Sequence, residues 1–417
     1  MFLLLLSVVL ITSSPSTGQQ YPLSFGQIGD PVHGWFDNRI ALNATHYFEG
    51  ANKLASGTQI RQARFGVHVL FYEDVVVDLD IGFKGDEVDI NDAWVSFRLK
   101  HAWLKIGSFK EPFGLERLTS SRYLVFAERA MASQTLTPGR KIGLQLARSG
   151  AHWYAALGLF GQEADQEATK VDEALALTGR LVYRPVDTDM QRLHLGLALT
   201  RRTPDATGTK ATKVRFRSLP ETRVSNLYFL NTNWITQVDY TESLGLEGAL
   251  ASGPVFFQGE YLYTAVRRSS GRPDLAMSGG YVLATWVLTG EHLSYLPREG
   301  EFGPVVSAHP GSTWELALRY SILDLNDPDN GASTLDLNDP NNGASTLNLN
   351  DPNDGARGGA AKNLSLGLNW CINPNIRATF NLVFVDNDEF ADGSSPSGSL
   401  IGNNRYSFIQ AKLYAFF

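Results

Sequence analysis

Cysteine is almost absent: the chain of 417 residues has one, Cys371. A single thiol excludes an intrachain disulfide framework and any metal site built on several cysteines. Long apolar runs are also missing, with one exception. Phe2–Ile11 is apolar apart from Ser7, about half of the ~20 residues that a spanning helix needs. No later stretch reaches helix length, so a helical membrane bundle is excluded. Basic residues are missing from the first 38 positions, Arg39 being the first Lys or Arg. Missing too are H-E-x-x-H, G-x-S-x-G and a Walker-type glycine loop. The eight histidines, at positions 33, 46, 68, 101, 152, 194, 292 and 309, form no local cluster. Neither a metal nor a catalytic triad is therefore indicated, and no cofactor is implied. A net charge of −7 with pI near 5.7 argues against nucleic acid as a partner.

The early apolar run has the length of a signal-peptide core, and Ser16-Thr17-Gly18 offers a small-x-small cleavage site. Residues 1–18 are read as an export signal and 19–417 as one domain. The mean hydropathy of −0.15 looks soluble, yet an exported membrane chain without helices must span by strands that close on themselves.

Period-2 alternation bounded by turn residues gives about sixteen strands. They lie at 34–48, 59–72, 75–83, 91–100, 102–109, 141–148, 152–160, 174–184, 192–200, 238–251, 254–266, 278–290, 313–323, 362–371, 376–385 and 405–417. The clearest is the last. Ser407, Ile409, Ala411, Leu413, Ala415 and Phe417 share one face, and Gln410, Lys412 and Tyr414 lie on the other. An apolar lipid face opposite a polar lumen face is the barrel alternation, against a sandwich edge strand as the alternative. The terminal aromatic is similar to the signal by which barrel assembly machinery recognises its clients.

Connections alternate in length. Asn373-Pro374-Asn375 and Ser252-Gly253-Pro254 are tight turns, whereas 110–140, 201–233, 291–312, 321–361 and 386–404 are long and polar. Short periplasmic turns against long external or inward-folded loops account for this. The loop 321–361 carries a 12-residue tandem repeat, LDLNDPDNGAST, LDLNDPNNGAST and LNLNDPNDGA. Asp327-x-Asp329-x-Gly331 resembles part of a calcium loop but lacks the closing Glu. A solvated loop lengthened by repeat expansion is the plainer reading.

The seven repeat aspartates equal the whole formal charge, so the remainder is neutral, −7 − (−7) = 0. Within that remainder the bases are clustered. Segment 98–148 has ten against three acids, net +7, and segment 201–223 has seven against two, net +5. Lys213, Arg215 and Arg217 fall on one face of an extended segment. At membrane depth such charges must face the lumen, since Lys or Arg against lipid costs ~2–4 kcal/mol at the midplane. A narrow lumen lined by them admits anions; cations facing lipopolysaccharide or solvent are the bland alternative.

Leu104-Lys-Ile-Gly-Ser-Phe-Lys-Glu-Pro-Phe-Gly-Leu-Glu-Arg117, then Thr119-Ser-Ser121 and Glu128-Arg129, resembles the phosphate-selective porins O and P. Arg215-Phe-Arg217 with Pro220-Glu221, Leu288-Thr-Gly-Glu291, Trp314-Glu-Leu and Leu366-Gly-Leu-Asn-Trp370 extend the match over essentially the mature chain. The resemblance implies a sixteen-stranded outer-membrane barrel of a Gram-negative bacterium, a homotrimer embedded in outer-membrane lipid and lipopolysaccharide. Passive diffusion of inorganic anions, phosphate among them, is the implied function. It also implies roles. Arg117, Arg122 and Arg129 become constriction contacts, with Ser120 and Ser121 as hydroxyl donors. Arg215, Arg217 and Arg223 become an anion-attracting ladder, and Arg61, Lys105 and Lys110 further lumen cations. The chain departs at Gln62, where a second arginine would stand beside Arg61, and at Leu219 in the ladder. The rivals are a general or cation-preferring porin, a closed binding or adhesion barrel, and an outer-membrane enzyme.

Overall fold

Alternating side chains give each strand one wet and one dry face, and the backbone ladder must then close to leave no edge. The computed structural model describes residues 24–26, 30–48, 50–84, 87–164, 173–204, 212–269, 272–306, 312–327, 355–393 and 400–417. The expected export signal 1–18 lies outside the described residues, as does 328–354 with most of the tandem repeat.

The first eight barrel strands are β1 Val32–Tyr47, β2 Gly57–Phe71, β3 Val75–Lys84, β4 Glu87–Arg98, β5 Trp103–Lys110, β6 Arg140–Ser149, β7 Trp153–Phe160 and β8 Ala176–Asp187. The second eight are β9 Gln191–Arg202, β10 Val238–Ser252, β11 Val255–Arg268, β12 Leu275–Val287, β13 Thr313–Asp327, β14 Ala356–Asn373, β15 Ile376–Asn387 and β16 Arg405–Phe416. Each pairs antiparallel with the next, and β16 pairs with β1 from Arg39↔Phe416 to Tyr47↔Phe408, closing a sixteen-stranded barrel. All sixteen expected segments fall on these strands.

Cross-strand rows explain the two faces. Leu318↔Leu366↔Leu382↔Ile409 and Leu316↔Leu368↔Phe380↔Ala411 run side by side on the outside. These belong to a belt of exposed Leu, Ile, Val and Phe that a soluble protein would bury and acyl chains satisfy. Trp314 and Trp370 stack at 5.1 Å at its lower edge, as interfacial aromatics do.

The inner face is not uniformly polar. Strands β11–β16 turn Leu262, Val266, Leu275, Met277, Leu323, Val383 and Phe408 inward, all buried. Strands β1–β4 turn Asp37, Arg39, Arg64, His68, Asp78, Asp80 and Asp92 inward. The loop that enters the lumen packs Phe113, Leu115 and Met131 on the apolar side, β11–β16.

Two expected connections differ. The segment 288–312 lies between β12 and β13, on the same end as both termini, so it is a periplasmic connection and not an external loop. Its described part forms a hairpin, His292–Leu296 with Glu301–Val306, that reaches into the lumen. There Arg180 donates to Glu299 O at 3.1 Å and Gly300 O at 2.9 Å, and His194 meets the Tyr295 hydroxyl at 2.9 Å. A polar loop over a lumen of opposite charge can fold inward from either end, which loop length alone does not reveal. The repeat loop is also shorter than expected. Residues 321–327 continue β13 and 356–361 open β14, because Leu323, Leu325 and Ala361 keep the inward alternation.

Candidate functional site: a cationic constriction

The loop 111–139 enters the lumen from the external side and carries two short helices, α1 Leu115–Leu118 and α2 Met131–Thr135. Phe113, Leu115 and Met131 are fully buried against the apolar half of the wall, worth about 1.5–3 kcal/mol each by burial. Polar anchors fix its register. Glu260 on β11 accepts hydrogen bonds from Leu115 N at 2.6 Å, Glu116 N at 2.9 Å and the Tyr281 hydroxyl at 2.6 Å. Arg319 on β13 pairs with Glu116 at 3.3 Å and with Glu221 at 2.7 Å, and donates to Glu128 O at 3.0 Å. Glu221 belongs to a second inward segment, 212–237, so one buried guanidinium joins both to the wall.

So held, the loop turns its cations toward the ionic half. Arg129 donates to Glu116 O at 2.7 Å and Thr119 O at 2.6 Å, and Lys110 to Leu118 O at 2.5 Å. Arg117 donates to Pro138 O at 3.2 Å. None of these three makes an ion pair among the described residues, and each keeps N–H groups beyond those it spends on loop carbonyls. They crowd one another. Burial, then the charges of Arg129, Arg140 and Arg223, push Arg117 down to about 9. Such repulsion is what an entering anion relieves.

The other expected residues are placed as follows. Arg61 is the extra residue of a β-bulge, since Ala41 pairs with Gln62 and Leu42 with Ile60. The bulge turns it inward onto the Glu128 carboxylate. Arg223 lies 3.5 Å from the same carboxylate. Burial works to raise the Glu128 carboxyl, but Arg61 above all outweighs it and brings it down to about 2. Ser121 donates to Gln62 Oε1 at 3.2 Å, so Gln62 pins the loop where a second arginine would have faced the passage. Ser120 is half-buried next to it. Arg122 pairs with Asp37 and lies 5.5 Å from the Phe416 ring; it is neutralised by the wall rather than open to an anion.

Lys105 lies deeper on β5, over the Trp94 ring at 4.2 Å. In the second loop Val214 and Phe216 pack on the apolar cluster, which turns Lys213, Arg215 and Arg217 the other way. Lys213 lies 4.3 Å from Trp234, and Arg217 4.3 Å from Tyr228. Arg215 donates to Asn231 Oδ1 at 2.9 Å. Leu219, in the gap of the ladder, is buried. Arg215 and Arg217 thus have aromatic and amide partners of their own, whereas Arg223 shares Glu128 with Arg61.

Sequence reasoning missed the wall itself. Arg140 pairs with Asp92 at 2.7 Å, Arg39 with Asp37 at 2.7 Å and Asp80 at 3.1 Å, and Arg64 approaches Asp80 at 3.8 Å. The signal was available: Asp37-x-Arg39 and Asp78-x-Asp80 put charges on one face of a spanning strand, and that face cannot be lipid.

Comparison with known proteins agrees with this architecture. The family model of the phosphate-selective porins O and P matches residues 37–397. Porin O of Pseudomonas aeruginosa is 25% identical over 311 residues, covering 70% of this chain and 66% of that protein. An uncharacterised protein of Caulobacter vibrioides is 27% identical over 288 residues, covering 66% of this chain and 57% of the other. The chain therefore spans less than two thirds of the length of these curated relatives. Among solved structures, an anion-selective porin from Comamonas acidovorans superposes with a TM-score of 0.54 at 13% identity, over 93% of this chain and 100% of the other. OmpT of Vibrio cholerae, in its trimer form, gives 0.53 at 9% identity, over 93% and 100%. By fold, by inward loops and by the match across most of its length, the chain belongs to the phosphate-selective porin O and P family.

Proposed function

We propose that the protein is a porin of a Gram-negative outer membrane through which small inorganic anions, phosphate included, diffuse passively. It is read as a channel and not an enzyme, working as a homotrimer embedded in lipid and lipopolysaccharide after insertion by the barrel assembly machinery. The observation that carries the reading is the group of Lys110, Arg117 and Arg129, unpaired with any acid among the described residues and crowded by Arg140 and Arg223. Guanidinium and ammonium donors replace part of an anion's hydration shell and offer it a positive potential in a narrow space. Arg215, Arg217 and Arg223 raise anion density above this point, while Arg61, bound to Glu128, and Lys105 extend it below.

Ser120 and Ser121 are read as hydroxyl donors at the rim, with Ser121 shared between the anion and Gln62. Arg122 is the weakest of the family-derived contacts, because Asp37 already holds it. The test is planar-bilayer recording of the purified protein. Reversal potentials in a chloride gradient should give chloride over potassium, and added phosphate should block the chloride current. Cation preference, or no ion steps at all, would end the proposal.

A further inference from the structure

The outer surface holds a cleft that the permeation pathway does not use. A cavity of about 480 Å³ lies on the lipid-facing side of β13–β16, bordered by Tyr320, Lys362, Leu364, Phe384, Asp386 and Arg405. Two adjacent cross-strand rows build it. The lower is Tyr320↔Leu364↔Phe384↔Ser407, and the upper is Ile322↔Lys362↔Asp386↔Arg405. The floor is therefore apolar and aromatic, and the upper lip is charged.

Register gives the depth of this lip. From the stacked Trp314–Trp370 row to the Lys362 row is eight residues along β13 and β14. At ~3.4 Å per residue and a tilt of about 40°, that is roughly 21 Å along the barrel axis, close to the ~25 Å height of an outer-membrane apolar band. Lys362 and Arg405 thus stand where hydrocarbon gives way to headgroups. Their Cα atoms are two strand spacings apart, ~10 Å, within reach of one ligand for side chains of this length. Asp386 Oδ1 accepts from Arg405 Nε at 3.0 Å, which orients the guanidinium and leaves its terminal nitrogens open. Lys362 has no partner among the described residues. Asp386, on the strand between Lys362 and Arg405, is paired with Arg405, so the lip keeps one net positive charge, and Asp324 and Asp388 stand one row further out.

We propose that this cleft seats the phosphorylated headgroup of an outer-leaflet glycolipid, with Lys362 and Arg405 on the phosphate and Tyr320, Leu364 and Phe384 against its acyl chains. The inference rests on the outer-membrane location proposed above but not on anion transport. Lipid binding to the detergent-purified full chain tests it by native mass spectrometry, with bisphosphorylated lipid A, its dephosphorylated form and inorganic phosphate as probes. One bisphosphorylated lipid per chain should be retained. The Lys362→Ala/Arg405→Ala variant should bind it at least about tenfold more weakly, as loss of charge-assisted contacts requires. Inorganic phosphate at millimolar concentration should not compete. Equal retention of the dephosphorylated lipid, unchanged binding by the variant, or full competition by free phosphate would overturn the assignment. Chloride reversal potentials of the same variant should match the parent. A porin without anion preference would refute the transport reading and leave the lipid result standing.

Discussion

Replacing Arg319 with Met should open the constriction without unfolding the barrel. Arg319 is 1% exposed and holds Glu116 of the first inward loop, Glu221 of the second and the carbonyl of Glu128. Its guanidinium also lies 4.3 Å from the Phe126 ring. Methionine fills much of the volume but strands two buried carboxylates. Removing one partner of a buried ion pair costs about 3–5 kcal/mol, or roughly 10²–10⁴-fold in the balance between docked and undocked loops. The ladders of β12–β14 are untouched by this loss, so heat-modifiability on gels should remain that of a folded barrel. Single-channel recording should show higher mean conductance, more open-channel noise and a lower chloride-to-potassium permeability ratio. Adding Glu221→Gln removes one stranded charge and should restore part of the quiet, selective behaviour. If Arg319→Met conducts with parental amplitude, noise and selectivity, the loops are held by apolar burial alone and the anchor argument fails.

Four further outcomes follow from the same geometry. Arg117→Glu or Arg129→Glu changes the local charge by two units, each worth about 1 kcal/mol at ~4 Å in water, so the permeability ratio should fall about thirtyfold in reversal-potential measurements. Glu128→Gln frees Arg61 and Arg223, and phosphate should then block the chloride current at lower concentration. The Glu128 carboxyl is depressed from 4.5 to about 2, so its contribution to loop docking is complete above pH 4.5 and is lost as pH falls toward 2. Channel noise should be flat from pH 7 to 5 and rise below that, with the acid limb absent in Glu128→Gln. Replacing 292–306 by a short turn removes the hairpin that Arg180 and His194 hold in the lumen, and conductance should rise with the selectivity sign unchanged.

The sixteen strands were legible because lipid enforces alternation on every one of them. A Leu-x-Leu-x-Tyr-x-Ile face such as Leu316–Ile322 has no other reason to be exposed. The Arg117–Arg129 stretch was legible through its resemblance to a family motif. What alternation does not give is the partner of an inward residue. Leu262, Met277 and Leu323 obey the same period as Asp78 and Asp80, yet the first three meet a folded loop and the last two meet water and arginine. Arg122 shows this, because its partner Asp37 is 85 residues away and is brought close by the fold and not by spacing. The hairpin at 292–306 escaped notice because long connections were assigned outward by length.

These gaps have one cause, and it also explains how the pore is built. A barrel wall is periodic and locally encoded, but its lumen is filled by segments whose positions depend on contacts across the whole circumference. The apolar residues of the inner half, β11–β16, are costly if left wet and are satisfied when 111–139 and the described part of the second loop, 212–237, lie on them. On the proposed reading their docking confines the passage to the ionic half, where Arg64 meets Asp80 and Arg140 meets Asp92. Hydrophobic burial thus sets the aperture's position, and buried carboxylates such as Glu260 and Glu221 set its register. The cations, which read as the functional signal in the sequence, only charge an opening that apolar residues have already located.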